Sequence, residues 1–296
     1  AGLGLVNTTL FFWGEILFTY AVFGVLLALF FKSNFRIIIT TAVIVYVLVH
    51  PIWVVHFSEE FAHYVNPIMT DNYQAEDVFR IYREGSLAEM VALRWREYIT
   101  LFTGNDEYMR TSFTLILLGF GLGKYGYLKR FLESIEQYHK WLILSGIIGG
   151  VLSLFTLETG IYSISLRVNP PVSIALSAWR LATTYFYIHL FFLLYQKTRL
   201  RPVLNLFSYV GRMSLTNYML CACVYAFIYH NIGLGLYAKL PIWTEVPIAS
   251  GLYILCFVFS WKWLSTHRFG PLEWIWRSFS YGQRQENIRT ISYTQR

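Results

Sequence analysis

Apolar residues run along this chain in long blocks, where an ordinary globular chain alternates them with polar ones every two to four positions. A helix needs about 20 mainly apolar residues to cross roughly 30 Å of hydrocarbon. Blocks at or near that length are Leu17–Phe31, Phe35–Phe57, Ser112–Leu128, Trp141–Gly160, Val172–Gln196, Ser214–Asn231 and Ile242–Trp263. Leu3–Phe12 reads as the last half of a further span, and Trp13–Ile16 as either a tight re-entrant turn or part of the next helix. Unpaired backbone groups are intolerable in lipid, so such blocks are expected to be helices. The pattern predicts an all-α, polytopic transmembrane helix bundle of about seven full spans plus a truncated one. Residues 1–281 would form a single transmembrane domain.

Two segments carry helical periodicity with charge. The long connection Ser58–Arg110 holds ten of the 17 acidic residues. Within it, Ser86-Leu-Ala-Glu89 reads as a capping box that opens a helix over 86–103. Leu87, Val91, Trp95, Tyr98 and Phe102 then share one face, with Glu89, Arg96 and Glu97 elsewhere. Such a helix would lie on the outer surface or cover a cavity, the alternative being a solvated linker with one amphipathic turn. Near the carboxyl end, Phe269, Leu272, Trp276 and Phe279 mark an interfacial helix over 269–281, with Pro271 in its first turn. Glu273 and Arg277 stand there as a structural i,i+4 pair, and 282–296 is a polar tail.

Composition sharpens the membrane reading. Only 14% of residues are charged and 56% are hydrophobic, against roughly 25% charged in soluble domains. The net charge of +7 sits in short patches, so it reads as an orientation signal and not as a nucleic-acid face. If alternate connections face the cytoplasm, they and the tail hold 16 of the 24 Lys and Arg residues. That places the carboxyl end in the cytoplasm, with membrane lipids as the expected partners. Cys221, Cys223 and Cys256 lie in apolar blocks without metal or disulfide spacing and read as packed small hydrophobes. The chain opens on apolar residues without Met or a charged n-region, which is expected of a piece of a longer chain and not of a signal peptide.

Ionisable groups inside spans cost about 2.5–3.5 kcal/mol each on insertion scales, so each is a functional candidate. They are His50, Arg180 and His189, with Glu15 and His56 near the outer interface. Arg180 needs an anion: Glu158, Glu15 or a ligand, or a structural ion pair between helices. His50 and His56 lie six apart, which does not set two imidazoles on one helix face, so no metal site is predicted. The glycines of Gly119–Gly123 and Gly233–Leu236 lack nucleotide-loop spacing, and no cofactor motif is present. Gly146, Gly149 and Gly150 are expected to let helices pack closely.

Several strings together resemble the YeiB family of bacterial membrane proteins, domain of unknown function 418. They are Gly211-Arg-Met-Ser-Leu-Thr-Asn-Tyr218, Gly233-Leu-Gly-Leu236, Phe269-Gly-Pro-Leu-Glu-Trp-Ile-Trp-Arg277, Tyr281-Gly282, Trp13-Gly-Glu-Ile-Leu17 with Tyr20-Ala21, and Tyr82-Arg-Glu-Gly-Ser86. Glu15 stands where the family has Asp, and Asn7 where it often has His. The family's amino-terminal helices, with their Asp-x-x-Arg-Gly start, are absent. The resemblance implies a multi-pass protein of the bacterial inner membrane, grouped by fold with transmembrane acyltransferases that pass acyl groups to envelope sugars or lipids. In those relatives a catalytic His lies near the amino-terminal helices, outside this sequence.

On that reading His50, His189 and Glu15 are the catalytic candidates, and Tyr20, Arg94 and Arg180 the ligand contacts. Arg212 and Asn217 would meet an anionic acyl donor such as acyl-coenzyme A; equally, Arg212 snorkels to headgroups and Asn217 bonds across to another helix. Two other readings stay open: a transporter or flippase of small molecules or lipids, and a non-catalytic accessory subunit of a membrane complex.

Overall fold

A computed structural model describes residues 1–56, 75–104, 106–159, 170–196 and 199–289. In chain order the helices are α1 (Gly2–Leu10), α2 (Leu17–Leu27), α3 (Phe35–His56), α4 (Ala75–Glu84), α5 (Leu87–Gly104) and α6 (Asp106–Lys124). There follow α7 (Tyr127–Glu133), α8 (His139–Thr159), α9 (Pro170–Gln196), α10 (Arg201–Arg212), α11 (Ser214–Tyr229), α12 (Glu245–Thr266) and α13 (Pro271–Ser280). Among the described residues the chain is all-α, with one isolated antiparallel bridge between His267 and Ile288. Each apolar block of the sequence contains a helix close to the expected bounds. The turn at residues 11–16 separates α1 from α2.

The chain groups into two compact units. One comprises Ser33–Ile52 and Thr114–Leu204. In it α8 lies along α9, where the indole Nε1 of Trp179 donates to the Gly149 carbonyl at 3.0 Å. A Cβ on Gly149 would sit 2.8 Å from Thr183 Oγ1, and one on Gly146 equally close to the Phe186 ring. These two glycines set the helix spacing; Gly150 faces open space. The ring of Phe35 on α3 meets those of Tyr125 and Tyr127 at 5.5 and 4.6 Å. The Ser33 carbonyl accepts from Lys124 Nζ at 2.7 Å and from the Tyr125 hydroxyl at 3.0 Å.

The other unit comprises Ala1–Lys32, Trp53–Phe113 and Asn205–Arg296. Here α1 and α2 approach so closely that a Cβ on Gly4 would fall 2.7 Å from the Phe18 nitrogen. The capping box forms as predicted. Glu89 Oε2 accepts the Ser86 N–H at 2.7 Å, and Ser86 Oγ accepts the Glu89 N–H at 3.2 Å. The buried face of α5 differs from the expected one. Leu87 is exposed, while Met90, Leu93, Arg94 and Tyr98 are buried. The stripe turns this way because α4 packs on Met90 and Leu93 through Ile81 and Tyr82, and because Arg94 has acceptors to reach.

Helices α11 and α12 are joined by Asn217, whose amide donates to Ser260 Oγ at 2.9 Å. Cys221 and Cys256 lie with their sulfurs 3.7 Å apart as thiols. Glu273 of α13 turns to α11, accepting the Thr216 N–H at 3.0 Å and the Thr216 hydroxyl, and Arg277 lies 4.5 Å over the Phe269 ring. The early part of the polar tail is clasped against the end of α12: Arg268 N–H donates to Asn287 O at 2.7 Å, and Arg289 N–H to Thr266 O at 2.9 Å.

One described helix, Ile242–Thr266 with its short leading turn, is long and apolar enough to cross a membrane, at mean hydropathy 1.7. Only 11% of its most apolar window is buried. Leu17–Phe30, Phe35–Tyr46, Lys140–Val151 and Ser214–Tyr229 are shorter apolar helical stretches.

Candidate functional site

The unit that contains α1, α5 and α11 holds an aromatic cavity of about 490 Å³. The turn after α1 supplies Phe11, Phe12 and Trp13, and most of one face of α11 lines it from Tyr218 to His230. That volume falls within the usual range for small-ligand sites.

Its inner wall is organised by Arg94, fully buried on α5. The guanidinium donates to the carbonyls of Thr9 and Leu10 at 3.0 and 2.8 Å, closing the last turn of α1. It also reaches Nδ1 of His230 at 2.8 Å. Arginine has donors only, so Nδ1 is the acceptor and the ring carries its proton on Nε2. His230 is thus held as a donor. A carboxylate behind the ring would make it a base; a guanidinium does not. Tyr82 stacks on the imidazole at 4.7 Å and 16°, and its hydroxyl donates to Glu97 at 2.7 Å. Burial, with Glu97 beside it, holds the Tyr82 phenol well above its usual range. Burial likewise raises the Glu97 carboxyl and lowers Arg94.

A second buried polar cluster sits beside this cavity. Glu15, almost fully buried, accepts from the Asn7 amide and from the N–H of Leu17, the first residue of α2. The Tyr218 hydroxyl approaches the same carboxylate at 3.4 Å. Tyr218 lines the aromatic cavity, so a buried acid stands one hydroxyl away from it.

The first turn of α11 walls another cavity of about 660 Å³, where Arg212, Arg268 and Arg277 stand with Glu273, Tyr20 and Trp276. Helix α11 therefore contributes to both cavities, α1 reaches one through Leu3 and the other through the turn that follows it, and α11 spans about 24 Å at 1.5 Å per residue.

The residues singled out from sequence are thereby sorted. Arg94 and Glu15 stand behind the aromatic cavity's lining, against His230 and Tyr218, and Tyr20 and Arg212 line the arginine-walled one. Asn217 spends its amide on Ser260 and the Val210 carbonyl, joining helices. His189 lies in the other unit, buried, with Nδ1 3.1 Å from the Tyr185 hydroxyl and its ring edge-on to Phe131. The side chains of His50 and Arg180, and those of His56 and Glu158, lie outside the described residues. Sequence reasoning passed over His230, Tyr82 and Tyr218 as site residues. Tyr82 and Tyr218 nonetheless belong to strings that carry the family resemblance. So does Trp13, and the Phe269–Arg277 string lines the second cavity.

Comparisons with known proteins identify the family. The family model "Protein of unknown function (DUF418)" matches residues 122–283. The chain is 30% identical over 292 residues to the uncharacterized protein YxaH of Bacillus subtilis (strain 168), covering 94% of this chain and 69% of YxaH. It is 31% identical over 86 residues to the uncharacterized protein YeiB of Escherichia coli (strain K12), covering 29% of this chain and 21% of YeiB. An uncharacterized 39.9 kDa protein from the amylase 3′ region of Bacillus acidopullulyticus is 29% identical over 102 residues, which is 33% of this chain and 28% of that protein. No solved structure matches. With the family model covering over half of its length and one relative aligned along nearly all of it, this chain belongs to the DUF418 family.

Proposed function

We propose that this protein crosses the bacterial inner membrane about seven times, carboxyl end in the cytoplasm, and transfers an acyl group from an anionic donor such as acyl-coenzyme A to an envelope sugar or lipid. Support for the membrane is the bareness of its apolar helices: the stretch Ile242–Thr266 leaves most of its surface uncovered. A buried core helix of a soluble protein would not, and contiguous bare apolar surface needs lipid. Support for the orientation is the Lys and Arg asymmetry of the connections.

The observation that carries the chemistry is the pair of cavities sharing α11, one lined by three arginines and one by aromatics, with Glu15 buried beside the latter. Guanidinium groups suit the phosphates of a donor. In the transfer, the acceptor oxygen bonds to the acyl carbon as the thioester C–S bond breaks. The acceptor's proton passes by way of Tyr218 to Glu15 and then to the departing thiolate. His230, carrying its proton on Nε2, donates to the acyl oxygen as charge gathers there.

The test is transfer from radiolabelled acyl-coenzyme A to envelope lipid or sugar by the purified full-length protein in proteoliposomes. Transfer is expected, and Glu15→Gln should lower it about 100-fold or more with the melting temperature retained. Label that reaches no acceptor sinks the enzymatic reading. Uptake of solute or lipid without any donor would mark a transporter or flippase instead, and neither activity would leave an accessory subunit of a membrane complex.

A further inference from the structure

The proposed function leaves the chemical class of the acceptor open, and the walls of the aromatic cavity narrow it. Phe12 and Trp13 come from the turn after α1, their rings 5.9 Å apart. Tyr225 and Tyr229 stack on one face of α11 at 5.7 Å and 12°, and Tyr237 closes the side where Tyr82 stands, 4.7 Å from it. Glu245 is the one carboxylate among the described lining residues, and it accepts from the Tyr229 hydroxyl at 2.8 Å; His230 is the one imidazole. Arg94 is turned the other way, committed to the α1 carbonyls and to His230.

Ring faces carry negative potential. Adding a carboxylate repels an anion and is wasted on a hydrocarbon. A bare sugar would ask for more hydrogen-bonding groups than the tyrosine hydroxyls, Glu245 and His230 offer. What an aromatic wall with one carboxylate satisfies is a positive charge wrapped in carbon. The rim is also held under tension: Ala238, next to Tyr237, is the one described non-glycine residue in the left-handed region, at φ 50°. It is kept there by Arg83, which donates to the carbonyls of Tyr237 and Ala238 at 2.7 and 2.8 Å. Such strain persists where the surroundings fix a binding geometry.

We propose that this cavity is an organic-cation site, taking an ammonium group, of a lipid headgroup or of a soluble amine, between Trp13, Tyr225, Tyr229 and the Glu245 carboxylate. The site would make the acceptor of the proposed transfer a hydroxyl on a molecule that also carries an ammonium group, an amphiphile or a soluble amino alcohol. This last step rests on the acyl-transfer reading, whereas binding itself is measured with no donor present, so either can fail alone.

The purified full-length protein in nanodiscs of phosphatidylglycerol is titrated with choline and with 3,3-dimethyl-1-butanol, its uncharged carbon twin, by Trp fluorescence and calorimetry. Choline should bind about ten-fold tighter than the twin. Glu245→Gln, an exposed change at the start of α12 that leaves the fold alone, should remove most of that preference. Trp13→Leu should weaken choline more than the twin. Equal binding of the two probes, or a preference untouched by Glu245→Gln, overturns the proposal. Adding phosphatidylethanolamine to the nanodiscs separates the sources: competition with choline marks the headgroup, and its absence the soluble amine.

Discussion

Arg94, a candidate ligand contact from sequence, also has a structural task. The sequence singles it out only within the acyl-transfer reading, as a basic residue of the long connection Ser58–Arg110. Its true partners, two carbonyls of α1 and His230, are far away along the chain, and no local pattern announces them. His230 and Tyr82 escaped for the same reason: an imidazole gains its meaning from what faces each nitrogen. Replacing Arg94 by Met would leave the buried His230 Nδ1 without its donor, at about 1–3 kcal/mol before relaxation, and release the two part-buried carbonyls of α1. A fall in melting temperature is expected, together with loss of closure at the end of α1, read as faster amide exchange at Phe11 and Phe12. Arg94→Lys should recover only part, because an ammonium cannot match the fork. Unchanged exchange in both variants would refute the capping role.

At the scale of elements, long apolar blocks announced their helices, and the capping box announced the start of α5. Ser86 and the Ser86 N–H hold the Glu89 carboxyl below its usual range. Its folded value is depressed, so the stabilisation is fully present above the unfolded value of about 4.3 and is lost as pH falls through the folded one. Protection of the amides in the first turn of α5, taken relative to the intrinsic exchange rate at each pH, should therefore fall on acidification through that range, and Glu89→Gln should flatten the dependence. What the sequence did not disclose are helices too short or too charged to look like spans, such as α10, Arg201–Arg212, which bears arginines at both ends. The register of α5 was also misread. A face counted by apolar residues alone omits a buried arginine that defines it. Gly270 offers a sharp test of the α13 anchorage. A Cβ there would lie 2.9 Å from Met213 Cγ and 3.0 Å from Thr216 Oγ1, where Glu273 is bound. Gly270→Ala should cost about 1–3 kcal/mol and loosen α13 in hydrogen exchange; a variant as stable as the parent would show that the contact is slack.

For the molecule as a whole, membrane orientation is the expectation on which the rest depends. Lys262→Cys and Lys239→Cys stand near opposite ends of the helix Ile242–Thr266. A membrane-impermeant maleimide should label the former only from the cytoplasmic side and the latter only from the outer side, above the background of the three native thiols. Labelling of both from one side would invalidate the topology. If it holds, the joint ownership of α11 by two cavities has a thermodynamic consequence. An anion seated among Arg212, Arg268 and Arg277 and a cation seated at Glu245 report on the same rod of backbone. Whatever factor the first imposes on the affinity of the second, the second must return in full, so an inhibitor lodged in either compartment would be felt as a changed dissociation constant in its neighbour.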